Sequence, residues 1–189
     1  MSVLRVVFCG DSDVGKTAMI NRFSRNEFDS TLQPTVAANI HKELILNNNQ
    51  SINLEIWDTA GDERYNSIIP LFFKKADAII IVYDISNKQS FEHLKFWIDT
   101  TIDNAPKDSC FIIAGNKCDK VDNREVTKDE GTNYSTDAKA FGFIETSALT
   151  GEGIMELFSL AASSKSKNNN DSDDYNNYLQ SNTDKKKCC

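Results

Sequence analysis

Continuous apolar runs and amphipathic runs alternate along this chain. Four short runs are largely apolar, as expected for parallel strands that are buried on both faces of a sheet. They are residues 4–9, 78–83, 110–115 and 143–146. Two further runs, 40–46 and 52–57, lie on either side of the turn-forming residues 47–50 and predict a hairpin with one antiparallel strand. The pattern predicts a six-stranded, mostly parallel sheet of the α/β class.

Helical patterns separate these strands. Residues 16–23 predict a first helix, and residues 89–102 place their apolar side chains on one face. A third helix is predicted over 128–141, with Gly142 as its C-terminal cap. The last helix carries its apolar residues at Ile154, Leu157, Phe158 and Ala161. We expect helices on both faces of the sheet.

The composition changes at residue 163. From there Ser, Asn, Asp and Lys dominate, so too little apolar area is present to offset the entropy of ordering the chain. We expect one folded domain over residues 1–162 and a disordered tail over residues 163–189. The formal net charge of −7 and the pI near 4.9 argue against a nucleic-acid-binding surface.

No segment of the sequence has the length or the apolarity of a membrane span. The longest strongly apolar run, 78–83, is far below the roughly 20 residues that cross a bilayer, so membrane attachment would be post-translational. The start of the chain has neither a secretory signal pattern nor the Met-Gly of a myristoylation site. We therefore expect synthesis in the cytosol.

A phosphate-binding pattern directly follows the first predicted strand and opens the first predicted helix. Its glycines let the backbone wrap around phosphate, and backbone N–H groups at the helix start supply positive potential. Lys16 is expected to reach the β- and γ-phosphates and Thr17 to ligate Mg²⁺. The candidate nucleotide-binding residues are Gly10, Asp11, Ser12, Asp13, Val14, Gly15, Lys16 and Thr17.

Asp58 and Gly61 form a second candidate group, after the third predicted strand. An Asp at that position is usually a cap, but beside a phosphate loop its carboxylate can hold the shell of a metal ion. Gly61 leaves room for its backbone N–H to approach a γ-phosphate.

Asn116, Lys117 and Asp119 follow the fifth predicted strand, at the edge where open α/β sheets bind ligands. With Cys118 they read Asn-Lys-Cys-Asp, which resembles the guanine-binding motif of Ras-like GTPases. The Asp119 carboxylate can accept two hydrogen bonds from guanine N1–H and its 2-amino group, which adenine does not offer.

The resemblance implies further site residues. Residues 146–148 resemble the family's last nucleotide motif, in which Ser147 precedes Ala148 and the Ala148 N–H faces the guanine carbonyl. Lys117 and Phe28 are then expected beside the base. Thr35 is expected in the first switch loop, where it completes the Mg²⁺ shell only while the γ-phosphate is present. The metal-site residues implied are Thr17, Thr35 and, through water, Asp58.

Within the Ras-like group the chain resembles the Rab family over about residues 4–162, by the segments 56–61, 64–69 and 83–86 and by its Cys-Cys end. The resemblance implies the fold of a P-loop NTPase of the Ras-like G-domain type. It also implies a switch that binds GTP, hydrolyses it to GDP and recruits effectors in vesicle trafficking. The partners implied are an exchange factor, a GTPase-activating protein, a GDP dissociation inhibitor and a prenylation escort protein, with effectors at the switch regions.

Cys188 and Cys189 end the chain after three lysines. This ending is not the C-a-a-X pattern, but it resembles the double-cysteine ending on which Rab proteins receive two geranylgeranyl groups. Two lipid chains and a basic segment give stable anchoring, whereas one chain binds only marginally. We expect attachment to the cytosolic face of endomembranes or the plasma membrane, with a cytosolic pool bound to the dissociation inhibitor.

Three positions depart from the family pattern. Asp62 follows Gly61 where relatives carry the glutamine that orients the attacking water, so intrinsic hydrolysis is expected to be slow. Activating proteins of the Rab family supply an arginine and a glutamine in trans, which would bypass Asp62. Asp13 replaces a small residue and would repel phosphate if it faced inward. Residues 36–40 lack the usual glycine and phenylalanine, so the effectors are not predictable.

Two other functions compete with that of a cycling switch. A chain in which Asp62 fails would be an adaptor that stays largely GTP-bound on its membrane. A metabolic P-loop kinase is disfavoured, because the Asn-Lys-x-Asp motif selects guanine and no lid or second-substrate pocket is recognisable.

Overall fold

A computed structural model of the chain describes residues 3–47, 50–65 and 67–164. The strands are β1 Val3–Cys9, β2 Ala38–Asn47, β3 Gln50–Thr59, β4 Ala78–Asp84, β5 Cys110–Asn116 and β6 Gly142–Glu145. The helices are α1 Lys16–Arg25, α2 Ile69–Phe73, α3 Lys88–Glu92, α4 Leu94–Asn104, α5 Lys128–Asp137 and α6 Ile154–Ser163. Short 3₁₀ turns span Glu63–Tyr65 and Val121–Asn123.

The six strands form one sheet in the order β2-β3-β1-β4-β5-β6. The β2–β3 pair is antiparallel, from Ala38 opposite Thr59 to Asn47 opposite Gln50, and every other pair is parallel. The predicted six-stranded sheet with one antiparallel strand is confirmed. Because the parallel strands end at one edge, the loops that follow β1, β3, β4, β5 and β6 converge there.

Alternate residues of the central strands face two separate apolar cores. Val6 and Phe8 of β1 belong to the core formed with α1 and α6, while Val7 and Cys9 belong to the core formed with α2, α3, α4 and α5. The seven residues of β4 are all buried, as a continuous apolar strand between two helix layers requires. Helices cover both faces, as predicted.

Three predicted helices have different limits in the structure, of which the first, expected over 16–23, continues to Arg25. The single helix expected over 89–102 is two helices, α3 and α4, that meet at His93, where the Phe96 N–H bonds to the His93 carbonyl three residues back. The helix expected over 128–141 ends at Asp137, because Lys139 adopts a left-handed conformation with φ 56°. Gly142 was expected to cap that helix, but it begins β6 instead.

Candidate nucleotide-binding site

A cavity of about 620 Å³ lies at the carboxyl edge of the sheet. Its volume falls in the range of small-molecule sites in proteins. The sequence-predicted residues that line it are Ser12, Asp13, Gly15, Lys16, Thr17, Phe28, Thr35, Gly61, Asp62, Asn116, Lys117, Asp119 and Ala148. The structure therefore brings together motifs that lie more than 100 positions apart in the sequence.

The other predicted residues lie behind the cavity wall. Val14 is 1% exposed and belongs to the core beneath α1, and Asp58 and Ser147 are fully buried. A Cβ at Gly10 would overlap the Val82 carbonyl, so this glycine lets β1 pass close to β4. Asp11 directs its carboxylate towards His93 and Trp97.

The phosphate loop joins β1 to α1. Gly15 is the N-cap of α1 in a left-handed conformation with φ 96°, and a Cβ there would overlap the Asn116 side chain. A side chain at this position would therefore disturb both the loop and the Asn-Lys-Cys-Asp segment. Because α1 begins at Lys16, its unpaired N–H groups and dipole are directed at the phosphate end of the cavity.

Lys16 is 6% exposed and directs its ammonium group back over the loop. Its Nζ donates to the carbonyls of Gly10 at 2.8 Å and Asp11 at 2.7 Å. Burial lowers the pKa of Lys16 from 10.5 to about 8, although Asp58 and other nearby acids act in the opposite direction. The ammonium has a third proton, so it can also donate to a phosphate oxygen.

Three oxygen-bearing side chains converge beside Lys16. Thr17 Oγ1 lies 2.8 Å from Thr35 Oγ1 and 2.7 Å from Asp58 Oδ2, and Thr35 Oγ1 lies 3.3 Å from the same carboxylate oxygen. Asp58 Oδ1 is buried without a hydrogen-bond partner. Burial raises the pKa of the Asp58 carboxyl against the bond from Thr17 and the charge of Lys16.

Two hydroxyls and one carboxylate are hard oxygen donors of the kind that Mg²⁺ prefers. The buried Asp58 oxygen also lacks a partner that a cation or its water would supply. The three residues therefore fit a Mg²⁺ site. Within the described residues, no group of three or more His, Cys, Asp or Glu side chains could hold a metal ion.

Gly61 packs directly against the phosphate loop. A Cβ at this position would overlap the Asp11 carbonyl and crowd the Ser12 nitrogen. Only glycine allows the segment that follows β3 to approach the phosphate loop so closely.

Asp62 forms an ion pair with Arg64 two residues further on. Arg64 Nη2 lies 2.7 Å from Asp62 Oδ2, Arg64 Nε bonds to both carboxylate oxygens, and the Arg64 backbone N–H bonds to Oδ1 at 2.9 Å. These hydrogen bonds lower the pKa of Asp62 to about 2. The carboxylate stays ionised at neutral pH, so it can accept but not donate hydrogen bonds.

Lys117 connects three segments at the other end of the cavity. Its Nζ donates to the Asp13 carbonyl at 2.6 Å and forms an ion pair with Asp84 at 2.8 Å. Asp84 also accepts from the backbone and hydroxyl of Ser86. Although burial acts in the opposite direction, the bonds from Lys117 and Ser86 lower the pKa of Asp84. No sequence motif indicates this role of Asp84, although the residue lies in the Rab-like segment 83–86.

The expected guanine-contacting residues are held by hydrogen bonds from neighbouring loops. Asn116 Nδ2 donates to the Val14 carbonyl at 2.8 Å, and its Oδ1 accepts from Thr146. The Ser147 hydroxyl donates to Asp119 Oδ1, which leaves the second carboxylate oxygen for a ligand. Arg22 of α1 binds the carbonyls of Ala148 and Leu149, each at 2.8 Å. Arg22 is a second contributor that the motifs did not reveal.

Asp13 lines the cavity, but its side chain extends into solvent. Its side chain is 99% exposed and its backbone is left-handed with φ 61°. The repulsion expected of an inward-facing Asp13 therefore has no basis in this geometry. Its carboxylate lies 3.7 Å from the Lys117 ammonium, so it reaches a cation instead.

The fold and this cavity define a nucleotide-binding protein of the P-loop class. One end of the cavity carries the phosphate loop and the candidate metal site, and the other end carries the Asn-Lys-x-Asp motif. The model of the Ras family matches residues 5–167. The chain is 40% identical to the GTP-binding protein ypt5 of Schizosaccharomyces pombe over 84% of this chain and 75% of that protein. It is 37% identical to the Ras-related protein Rab-22A of Homo sapiens over 82% of this chain and 79% of that protein. The chain belongs to the Ras family, in its Rab branch.

The predicted tail lies almost wholly outside the described residues. Helix α6 ends at Ser163, and residues 165–189, which include Cys188 and Cys189, are not described. The boundary at 162 and the lipidation of both cysteines stay predictions. In the described part of the chain, every helix is too short or too polar to span a bilayer.

Proposed function

We propose that this chain is a guanine-nucleotide switch that hydrolyses GTP and acts in vesicle trafficking. The observation that carries the proposal is that the two ends of one cavity have different lining residues. Lys16, Thr17 and Thr35 line its phosphate end, whereas Asp119 and Ala148 line its other end. A nucleotide whose base offers N1–H and a 2-amino group matches both ends at once.

Different residues bind different parts of the nucleotide. Lys16 and the backbone N–H groups of the phosphate loop hold the phosphates, and Asp119 accepts from the base. Thr17, Thr35 and Asp58 are the residues that would hold Mg²⁺, the two threonines by their hydroxyl oxygens and Asp58 through water. When bound, the ion would neutralise phosphate charge. Phe28, at 40% exposed, lies where it can cover the base.

Thr35 makes the site a switch. Its hydroxyl reaches Thr17 and Asp58 only while the loop before β2 lies across the cavity. Mg²⁺ and the γ-phosphate of bound GTP would hold Thr35 in this position, so loss of that phosphate would release the loop. Val36 at 71% exposed and Ile40 at 52% exposed follow Thr35, so effectors that recognise the GTP form can reach them.

Intrinsic hydrolysis is proposed to be slow because of Asp62. This residue lines the cavity at the position of the water-orienting glutamine, and its carboxylate is paired with Arg64. An ionised carboxylate there cannot donate to a transferring phosphoryl group and adds charge beside it. An activating protein that inserts its own arginine and glutamine would restore turnover.

The Asp62–Arg64 pair also favours a second function, that of an adaptor that stays GTP-bound on the membrane. In either function, two lipid chains on Cys188 and Cys189 would anchor the protein to cytosolic membrane surfaces. An escort protein, a dissociation inhibitor and an exchange factor are the partners proposed for this cycle.

Both functions are tested on one sample. Protein that carries fluorescent GDP is challenged with GTP or with ATP, and only GTP is expected to displace the probe. Displacement by ATP at similar concentrations would contradict guanine selection.

Single-turnover hydrolysis is then followed on the GTP form, beside Asp62→Gln. We expect wild type to fall below the roughly 10⁻⁴ per second of an unassisted Ras-like GTPase. The glutamine variant should be roughly tenfold faster, because glutamine can orient the attacking water and removes a negative charge beside the transferring phosphoryl group. Glu63→Gln is the matched control, because it removes an exposed charge next to Asp62. Equal rates for Asp62→Gln and wild type would refute the role of Asp62.

A further inference from the structure

The Asp11 side chain leaves the phosphate loop and contacts helix α4. Its Oδ1 lies 2.7 Å from Nδ1 of His93 and 2.8 Å from Nε1 of Trp97. An ionised carboxylate only accepts hydrogen bonds, so both rings donate and His93 carries a proton on Nδ1. Neither ring lines the nucleotide cavity.

Packing fixes one of the two donors. Trp97 is 2% exposed and lies in the core with Leu94 and Ile98 of the same helix. The half-exposed His93 ring stacks on Phe96 at a centroid distance of 5.0 Å and an interplanar angle of 16°. Because the buried indole of Trp97 has little freedom to follow Asp11, it determines where the Asp11 carboxylate lies, and His93 supplies a second N–H donor.

The backbone of Asp11 contacts two parts of the proposed nucleotide site. Its carbonyl accepts from Lys16 Nζ at 2.7 Å. The same carbonyl lies so close to Gly61 that a Cβ on Gly61 would overlap it. A displacement of residue 11 would therefore disturb the position of the Lys16 ammonium and the approach of Gly61.

Helix α4 also packs against α2, which follows the loop that contains Gly61. Ile69 and Phe73 of α2 lie in one buried cluster with Leu94 and Trp97. The helix that contacts Asp11 of the phosphate loop thus also contacts the helix that follows Gly61. The carboxylate of Asp11, which would repel phosphates if it turned inward, is meanwhile paired with two N–H donors.

We propose that Asp11, His93 and Trp97 form a clamp that holds the phosphate loop in its nucleotide-binding shape and thereby slows nucleotide release. Asp11 acts through the loop backbone, and His93 and Trp97 are positioning residues that do not touch the ligand. The inference rests on the proposed function, because it needs a nucleotide that the loop retains.

The test measures release of fluorescent GDP from the full chain after addition of excess unlabelled GDP and Mg²⁺. Trp97→Phe removes the N–H and keeps a buried aromatic ring, and it should release GDP about tenfold faster, as expected for loss of a hydrogen bond to a charged group. His93→Leu, at a half-exposed position, should release it about threefold faster. Asp11→Asn keeps an acceptor oxygen and should stay closer to wild type than Asp11→Ala.

A double variant separates the clamp from simple packing. In the Asp11→Ala background the indole N–H has no carboxylate to bind, so adding Trp97→Phe should not accelerate release further. If Trp97 acted only through packing, the two effects would multiply and the clamp would be refuted.

Thr101→Val is the matched control on the same helix. Thr101 is 3% exposed and its hydroxyl donates to the Trp97 carbonyl at 2.8 Å, with no contact to the phosphate loop. Its GDP release should stay within about twofold of wild type, even if its melting temperature falls. Acceleration equal to that of Trp97→Phe would overturn the clamp.

The remaining outcomes are also decisive. If wild type retains GDP and both His93→Leu and Trp97→Phe release it at the wild-type rate, the clamp is wrong and the proposed function stands. If wild type does not retain GDP, the clamp and the proposed function are both wrong. Should Trp97→Phe fail to fold, the half-exposed His93→Leu and its double variant with Asp11→Ala give the same decision.

Discussion

Orientation decides what each acidic residue near the phosphate end does. Three aspartates in or beside the loop, Asp11, Asp13 and Asp62, all add negative charge where phosphates are expected. Asp11 binds two ring N–H groups, Asp13 extends into solvent near Lys117, and Asp62 binds Arg64. Each of the three carboxylates thus lies near an N–H donor or a cation, so a net acidic loop remains compatible with nucleotide binding.

Asp13→Gly should therefore leave the rate of GDP release within about twofold of wild type. An exposed charge in water contributes little, and glycine adopts the left-handed φ of 61° without strain. Release of fluorescent GDP measures this directly. Asp13→Ala serves as the control for backbone strain, since alanine in the left-handed region costs roughly 1–2 kcal/mol. A large slowing of release by Asp13→Gly would show that the carboxylate does act on the phosphates.

At the scale of elements, α5 shows how packing overrides helix propensity. It begins with a capping box, in which Thr127 accepts from the Glu130 N–H and Glu130 accepts from the Thr127 N–H. Gly131 lies in the next position and is buried, although glycine weakens helices. A Cβ there would lie 2.5 Å from Phe143 Cζ and 2.6 Å from the Tyr83 hydroxyl.

Gly131→Ala is expected to destabilise the protein by about 1–3 kcal/mol, because overpacking against β4 and β6 outweighs the roughly 1 kcal/mol of helix propensity gained. Denaturant unfolding of GDP-bound protein measures the change. Thr132→Ala, at the exposed neighbouring position in α5, supplies the comparison and should be neutral or slightly stabilising. A stabilised Gly131→Ala variant would mean that α5 can shift away from the sheet.

At the scale of the whole molecule, nucleotide binding and folding are coupled through the loops at the sheet edge. The cavity draws its lining from the loops after β1, β3, β5 and β6 and from the segment before β2. A ligand that binds only this folded arrangement raises the melting temperature by mass action. The buried ammonium of Lys16 gives this stabilisation a pH dependence.

The rise in melting temperature produced by GDP should shrink above about pH 8. The pKa of Lys16 is lowered to about 8 by burial, and phosphate would raise it again, so binding takes up a proton above that pH and weakens as the pH increases. The nucleotide-free protein meanwhile gains stability between about pH 8 and 10.5, because the unfolded chain holds the Lys16 proton longer.

Thermal unfolding with and without GDP and Mg²⁺ at pH 7, 8 and 9 measures this effect. Calorimetry at pH 9 in buffers of different ionisation enthalpy provides the control, since proton uptake changes the apparent binding enthalpy. A constant increase in melting temperature and no proton uptake would show that Lys16 keeps its ordinary pKa in the free protein.

Much of the molecule was predictable from local pattern. The apolar runs of the six strands and the hairpin between two of them indicated the sheet. The motifs at 10–17, 58–61 and 116–119 indicated its ligand-binding edge and the family. The predicted function of a GTP-binding switch in trafficking is confirmed by the Rab and Ypt relatives. The end of α5 was missed because Lys139 adopts a conformation that sequence rules assign to glycine.

The sequence by itself determined the class of fold, the phosphate and guanine motifs and the family, because these depend on residues adjacent in the chain. Only the tertiary structure decided where the side chains of Asp11 and Asp13 point and which groups lie beside them. Trp97 and Asp11 lie 86 positions apart, and Lys117 and Asp13 lie 104 apart. Contacts of this kind depend on how helices and loops pack on the sheet, and packing has no signature in the local order of residues.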